Sequence, residues 1–138
     1  MALTALYLAD KSALTRIAVE AVRPRLESLL VEGLVATCGV IDLEVGYSAR
    51  DAKTHAAVRQ ERRALPRAPL NDEVFDRALE VQGLLAARGH HRLPIPDLLI
   101  AASAERAHLT VLHYDADFER ISEVTHQPHE WIVRRGTL

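Results

Sequence analysis

Acidic residues occur at four places along the chain where folding alone gives no reason for a carboxylate. They are Asp10 in LYLADKSAL, Glu44 in VIDLEVGYSAR, Asp97 in PIPDLLIAAS, and Asp115 with Asp117 in LHYDADFERI. Three of these motifs follow an apolar run or a turn framed by prolines, and the fourth lies in a mostly apolar helix. Hard divalent cations such as Mg²⁺ and Mn²⁺ take oxygen ligands and require negative charge concentrated in a pocket. The residue types and their placement therefore predict a metal-dependent nuclease.

Each of these acids also has a structural interpretation when it is considered alone. Asp10 stands between a predicted strand and a helix, and Asp97 follows Pro96, so both are candidates for helix N-caps. Asp115 and Asp117 are compatible with a turn that ends in a helix cap. Capping does not exclude metal binding, because a helix N-terminus stabilises the ionised carboxylate that a metal site also needs.

Glu44 is the most informative of the acids, because no neighbour on its own helix explains its charge. The residues one turn before and after it are Val40, Ile41, Tyr47 and Ser48. None of them is basic, so Glu44 has no local ion-pair partner. In a helical projection it falls at the edge of a buried face. Asp42, in the first turn of the same helix, is better interpreted as a capping residue or one that balances the helix dipole.

Mutual repulsion decides between the structural and the functional interpretation of the acids. Two carboxylates about 4 Å apart repel each other by roughly 4 kcal/mol at an effective dielectric constant of about 20. A cluster of three or four therefore needs relief, either by protonation or by a bound cation. We interpret the cation as the simpler solution.

Short apolar strands alternate with longer helical segments along the chain. We predict strands at 5–9, 34–37, 110–113 and 130–133, with an extended edge piece at 66–70. We predict helices at about 20–32, 40–50, 51–64, 71–88 and 98–104, the fourth capped by Asn71 and the last opened by Asp97, with a short helix after Asp115. This alternation is typical of right-handed βαβ units and of a mostly parallel sheet covered on both faces.

The predicted strand ends explain how acids so distant in sequence come together. Ligands of open parallel sheets bind beyond the carboxyl ends of the strands. Asp10 and Asp115 each follow the end of a predicted strand, and Glu44 lies two helical turns beyond another. The topology therefore predicts that these carboxylates converge at one edge of the sheet.

Length and composition fit one domain over residues 1–138, with a core supplied by the 49% of hydrophobic residues. The net charge of −2 is unlike that of a strongly basic nucleic-acid-binding protein, but Arg dominates the basic residues, and its planar fork suits phosphate. The single Cys38 excludes a disulfide framework and argues against a cysteine-based zinc site. We find no signal peptide and no membrane-spanning run, and we expect a soluble, cytoplasmic protein.

A few other polar residues are weaker candidates for function. Ser12 is equally suited to cap its helix and to donate a hydrogen bond to a carboxylate or a metal-bound water. His90 and His91 are adjacent rather than one helical turn apart, which favours solvated loop residues over a zinc pair. Three arginines flank the Asp97 motif and are candidates for phosphate contacts, although a solvated surface is their default role: Arg88, Arg92 and Arg106.

With these motifs in view, the chain resembles the PIN-domain family and, within it, the VapC-type toxins of bacterial toxin–antitoxin pairs. The four motifs span residues 6–121 in the order and at the spacing usual for that family. The resemblance implies a three-layer α/β/α fold with a central, mostly parallel sheet of about five strands. It also implies a Mg²⁺- or Mn²⁺-dependent ribonuclease, a homodimer, and inhibition by a cognate VapB-type antitoxin whose tail lies in the catalytic groove.

The resemblance also assigns roles to individual residues. The catalytic acidic quartet of the family corresponds to Asp10, Glu44, Asp97 and Asp115. Asp117 corresponds to the second acid of the D-x-D-F element, and whether it or Asp115 lies nearer the metal is open. All five acids are thus candidate metal ligands for one or two ions, with Glu44 expected to orient or deprotonate a water.

Two other classes of protein are alternatives. A receiver or HAD-like phosphotransfer module also uses an Asp after a strand, but the HAD pattern requires a second acid where this chain has Ser12. A non-catalytic PIN-like module that binds RNA or protein is the other alternative. The presence of the complete acidic quartet argues against it.

Overall fold

The structure is a computed structural model that describes residues 4–138. Four strands are formed in this part of the chain: β1 (Tyr7–Ala9), β2 (Val35–Ala36), β3 (Thr110–His113) and β4 (His129–Trp131). Seven helices accompany them: α1 (Lys11–Leu14), α2 (Arg23–Val31), α3 (Gly39–Tyr47), α4 (Ala52–Arg63), α5 (Asp72–Ala86), α6 (Ile95–Arg106) and α7 (Asp117–Thr125). The predicted α/β organisation is confirmed.

The strands form one parallel sheet in the order β2-β1-β3-β4. Because every strand runs in the same direction, all their carboxyl ends lie at one edge of the sheet. The prediction of about five strands is one too many for residues 4–138. The extended piece at 66–70 contributes only a single bridge, between Thr37 and Arg67. Pro66 has no amide hydrogen, so the ladder cannot continue toward Val35. It cannot continue in the other direction because the chain enters α3 at Gly39.

Apolar residues cover the sheet on both faces, as the predicted three-layer arrangement requires. Neighbouring residues of a strand point to opposite faces, and Leu8 and Ala9 of β1 accordingly belong to two different core clusters. The larger cluster lies against α3, α5, α6 and α7, and the smaller against α1 and α2. Residues 97–104 of α6 are all buried, so this helix lies at the centre of the larger layer.

Polar side chains begin several helices as the sequence predicts, with one correction. Asn71 accepts a hydrogen bond from the Val74 amide at 3.1 Å and caps α5. Asp10 caps α1 in the same way. The prediction that Asp97 opens its helix is wrong, because α6 begins at Ile95 and Pro96 occupies its first turn. Asp97 is therefore already inside the helix.

Helix lengths in this protein are those of a globular domain. The longest helix, α5, has 15 residues. Across residues 4–138, no helix has both the length and the apolar character needed to cross a membrane. Gly33, just after α2, adopts a φ of 71°, which a residue with a side chain rarely takes, and this lets the chain turn into β2.

Candidate active site

The acidic side chains lie at the edge of the sheet where the strands end. Asp10 follows β1 directly, and Asp115 follows β3 after one intervening residue. Asp97 reaches the same edge from the first turn of α6. Carboxylate oxygens of Asp97, Asp115 and Asp117 all lie within 4.8 Å of one another. The predicted convergence of these acids is therefore present in the fold.

Electrostatic coupling extends this group to Asp10 and Glu44. Burial raises the pKa of Asp10, and the nearby charge of Asp115 raises it further, against the opposing effect of hydrogen bonds from Ser12. Burial also raises the pKa of Glu44, with further contributions from the charges of Asp10 and Asp115. We refer to Asp10, Glu44, Asp97, Asp115 and Asp117 together as the acid cluster.

Asp97 is the most strongly perturbed member of the acid cluster. Its side chain is buried, and burial together with the charges of Asp10, Asp115 and Asp117 raises its pKa to about 8. A carboxyl group with such a pKa holds a proton near neutral pH unless another positive charge takes its place. The acid cluster therefore favours the binding of positive charge, either a proton or a cation.

Two oxygens of the acid cluster indicate that a bound cation can supply this positive charge. Within residues 4–138, Glu44 Oε1 and Asp97 Oδ2 are buried and have no hydrogen-bond partner. A buried acceptor without a partner is costly, so such atoms call for an explanation. The cluster consists of carboxylates alone, which is the ligand chemistry that Mg²⁺ and Mn²⁺ prefer. The residues present therefore fit a hard divalent cation.

A buried histidine fixes the backbone beside Asp115. The Asp115 amide donates to His113 Nδ1 at 3.0 Å, and His113 Nε2 lies 2.9 Å from His129 Nδ1. Burial and the neighbouring His129 lower the pKa of His113 to about 3, so the ring is neutral. Since Nδ1 accepts, Nε2 carries the proton and donates to His129. His113 was not among the site residues predicted from the sequence, although a histidine at the end of an apolar strand, two residues before the D-x-D element, was a visible signal.

Ser12 joins the two strand ends that carry Asp10 and Asp115. Its amide donates to Asp10 Oδ2 at 3.0 Å, while its hydroxyl oxygen accepts from the Tyr114 amide at 2.8 Å. The Asp117 amide in turn donates to Asp115 Oδ1 at 2.9 Å. Backbone amides thus hold the carboxylates of Asp10 and Asp115 without neutralising them, and the Ser12 hydroxyl ties the two strand ends together.

Comparison with known proteins identifies the family. The family model of the PIN domain matches residues 7–124. The chain belongs to the PIN-domain family. Its relatives include Ribonuclease VapC21 of Mycobacterium tuberculosis strain H37Rv, which is 50% identical over 137 residues, with 98% of this chain and 99% of that protein covered. Ribonuclease VapC51 of the same organism is 46% identical over 132 residues, with 96% of each protein covered. The VapC-type resemblance is therefore confirmed.

Solved structures share the fold of this PIN domain at low sequence identity. DNA-bound VapBC from Salmonella typhimurium aligns with a TM-score of 0.74 and 16% identity, with 94% of this chain and 100% of that chain covered. VapBC-1 from nontypeable Haemophilus influenzae aligns with a TM-score of 0.73 and 15% identity, with 94% and 99% covered. At these identities the likeness concerns the fold alone.

Asp42 of the PIN domain is held quite differently from the acid cluster. It lies in the first turn of α3, as predicted, but its side chain is part of an ion-pair network. Thr37 and Arg62 donate to Asp42 Oδ1 at 2.8 and 2.9 Å, and Arg67 donates to Oδ2. Burial by itself raises the pKa of Asp42. The hydrogen bonds, led by that of Arg67, outweigh burial and lower the pKa below its ordinary value. Its role is structural.

The other sequence candidates lie mostly outside the acid cluster. Arg106 is in the last turn of α6, away from Asp97, and forms an ion pair with Glu73, so the prediction that it flanks the Asp97 turn is wrong. His90 contacts the Arg120 guanidinium at 3.0 Å in a partly exposed loop. Cys38 is buried, in agreement with its interpretation as a small hydrophobic residue.

Proposed function

We propose that this PIN-domain protein is a Mg²⁺- or Mn²⁺-dependent endoribonuclease, a toxin of the VapC type that hydrolyses RNA phosphodiester bonds. The observation that carries the proposal is the acid cluster, in which two buried oxygens, Glu44 Oε1 and Asp97 Oδ2, have no partner among residues 4–138. The curated relatives named as VapC ribonucleases cover nearly the whole chain and support the choice of RNA as substrate.

Asp10, Asp97 and Asp115 would hold the cation, with Asp117 at its side. A bound Mg²⁺ or Mn²⁺ would neutralise the charge of the scissile phosphate and make a water more acidic. The protein positions these ligands through backbone contacts. Ser12 fixes Asp10, the His113 ring fixes the amide of Asp115, and α6 projects Asp97 from its first turn.

Glu44 is suited to orient the attacking water and to accept its proton. Burial and the charges of Asp10 and Asp115 raise its pKa, which makes it a stronger base than an ordinary glutamate. Its Oε1 is buried and, among residues 4–138, unpartnered, so the atom is available to a water or to a cation. As the water oxygen bonds to phosphorus, its proton passes to Glu44. The bond between phosphorus and the leaving oxygen of the RNA breaks in the same displacement, and that oxygen takes up a proton from solvent.

The remaining parts of the proposal concern partners and surroundings. We propose that the chain acts as a single domain over residues 1–138, forms a homodimer, and is inhibited by a VapB-type antitoxin that covers the acid cluster. VapBC complexes among the structures that share its fold support this partner. An RNA-cutting toxin acts where RNA is accessible, so we propose that the protein acts in the cytoplasm.

The direct test is cleavage of RNA by purified protein. Wild-type protein should release defined fragments from total RNA when Mg²⁺ or Mn²⁺ is added and none when EDTA replaces the cation. A preparation that binds RNA but yields no fragments with either cation would instead support a non-catalytic PIN-like module. Asp76→Asn is a matched control, because it removes an exposed carboxylate of α5 that lies outside the acid cluster.

A further inference from the structure

A second polar site lies on the other side of α3 from Glu44. A cavity of about 550 Å³ opens between α3 and α4, and its wall contains four arginines and one acid. The arginines are Arg59, Arg62, Arg63 and Arg67, and the acid is Asp42. On a chain whose net charge is −2, this cavity is a local concentration of positive charge. We call it the arginine cavity.

Two of the four arginines pair with Asp42, and the other two have no such partner within residues 4–138. Arg62 is buried and Arg67 is half exposed, and both donate to Asp42. Within the described chain, residues 4–138, neither Arg59 nor Arg63 forms an ion pair or a side-chain hydrogen bond. These two residues are one turn apart on α4, so they present their guanidinium groups on the same face. The pair is available to an anion that comes from outside.

The shape of the arginine cavity depends on a close approach of α3 and α4. A Cβ atom added to Gly46 would lie 3.1 Å from His55 Nε2, so the glycine lets the two helices meet. Leu43 and Val58 add apolar surface to the lining of the cavity, and Leu43 is 76% exposed. Arginine forks above an apolar surface match a ligand that has both phosphates and flat bases.

The helix α3 connects the arginine cavity with the acid cluster. Glu44 belongs to the cluster, while Leu43 and Gly46 line the cavity. Tyr47 lies at the end of the same helix and is 87% exposed. The Lys11 ammonium lies 5.9 Å from the centre of that ring, and Lys11 follows Asp10 in the chain. A basic and an aromatic side chain therefore lie along the path between the two sites.

We propose that the arginine cavity binds the backbone phosphates of single-stranded RNA next to the bond that is cut, with one base stacked on Tyr47. The inference rests on the proposed ribonuclease function and names the part of the surface that attracts the substrate. Such a surface is necessary, because the acid cluster repels phosphate. Exposed aromatic rings beside arginine forks are the usual means by which proteins bind single strands.

Tyr47 lies on the path from the arginine cavity to the acid cluster, and this arrangement favours RNA over an acidic protein segment as the ligand. An acidic segment would be attracted by the arginines but gains nothing from an exposed aromatic ring placed toward the acid cluster. A nucleic acid strand uses both, since each nucleotide carries one phosphate and one base. It also has to extend from the cavity to the acid cluster to be cut.

The experiment measures binding of a fluorescein-labelled single-stranded RNA by anisotropy in EDTA, so that cleavage does not interfere. Arg59→Ala with Arg63→Ala should weaken binding on the order of tenfold, because two charge-assisted phosphate contacts are lost. The slope of log affinity against log salt should fall by about 1.4, at about 0.7 for each phosphate contact on a single strand. Arg59→Lys with Arg63→Lys keeps the charge and should keep the slope.

Tyr47→Ala should weaken RNA binding at least about fivefold while leaving the salt slope unchanged, because stacking involves no ion release. Arg106→Ala is the matched control. It removes an exposed arginine about 13 Å along α6 from Asp97, at 1.5 Å per residue, and should bind RNA as the wild type does.

An Arg59→Ala, Arg63→Ala protein that binds RNA as tightly as Arg106→Ala overturns the proposal. Loss of poly-glutamate binding in that same protein, with RNA binding intact, would assign the cavity to an acidic protein segment instead. The cleavage assay with Mg²⁺ or Mn²⁺ is independent of this result. A wild-type protein that binds RNA through these arginines but never cuts it would refute the ribonuclease and leave the RNA site standing.

Discussion

Two carboxylates on α3, only two residues apart, have opposite environments. Asp42 accepts hydrogen bonds from Thr37, Arg62 and Arg67, and these lower its pKa despite its burial. Within residues 4–138, Glu44 has a buried Oε1 without a partner, and burial with nearby negative charge raises its pKa. One helix thus carries a satisfied acid on one side and an unsatisfied acid on the other.

The contrast separates an acid that serves the fold from an acid that serves a ligand. The charge of Asp42 is compensated by the protein itself, so its removal should damage stability. The charge of Glu44 adds to repulsion among the acids and is not compensated by protein donors. Its removal should damage function and leave stability unchanged or improved.

Asp97→Asn should lower RNA cleavage by at least about 100-fold, because a charged ligand is lost from the centre of the acid cluster. The metal-free protein should unfold at an equal or higher temperature, because the folded state no longer has to hold a proton on a buried carboxyl group or tolerate its charge beside the other acids. Cleavage rates and thermal unfolding measured on the same preparation test both parts. Retained cleavage, or a clear loss of stability, would show that Asp97 serves the fold rather than a ligand.

Glu44→Gln and Asp42→Asn should have opposite effects. Glu44→Gln should lower cleavage about 100-fold or more, the usual contribution of a general base, without destabilising the fold. Asp42→Asn should lower the free energy of unfolding by about 1–3 kcal/mol, because Arg62 is left buried with a weaker partner. Denaturant titration and cleavage per folded molecule separate the two effects. If both variants lose only stability, the division between the two acids fails.

A bound cation should weaken the dependence of stability on pH. The raised pKa of Asp97, to about 8, means that the metal-free folded protein binds more protons than the unfolded chain. Its stability should therefore fall as pH rises from about 4 toward 8. With Mg²⁺ at about 100 times its dissociation constant, stabilisation of about 2.7 kcal/mol is expected at high pH and less as protons compete. Unfolding temperatures over this range, with EDTA or Mg²⁺, provide the measurement.

His113 should have a smaller effect, through the position of Asp115. His113→Leu removes the acceptor of the Asp115 amide and should cost about 1–3 kcal/mol in the free energy of unfolding, with weaker metal binding. His113→Asn retains an acceptor near the Nδ1 position and should recover part of the metal affinity. Equal metal affinity in the Leu and Asn variants would show that the hydrogen bond does not position Asp115.

Local patterns in the sequence were enough to predict the strand ends and their acids. Apolar runs defined β1 and β3, and the carboxyl ends of parallel strands brought Asp10 and Asp115 together. The start of α6 was wrong because Pro96 is as compatible with a first helical turn as with the turn before it. No fifth strand forms within residues 4–138, because Pro66 withholds the donor that a longer ladder requires and the chain enters α3 at Gly39.

Contacts between residues far apart in the sequence could not be predicted from local sequence patterns. Arg62 and Arg67 reach Asp42 from 20 and 25 residues away, so the helix around Asp42 gave no sign of its ion pairs. His113 and His129 meet because β3 and β4 are neighbours, which no local pattern specified. The arginine cavity likewise depends on how α4 packs against α3. The composition indicated that arginines would contact phosphate, but it did not show which arginines lie together in this cavity.

Calorimetric titration of Mn²⁺ into metal-free protein shows whether the acid cluster is a site for a hard divalent cation. Wild type and Asp42→Asn should bind the ion with similar affinity, after correction for the folded fraction, and Asp97→Asn should bind it at least about tenfold more weakly. Equal binding by wild type and Asp97→Asn, or no binding by wild type, would contradict the account.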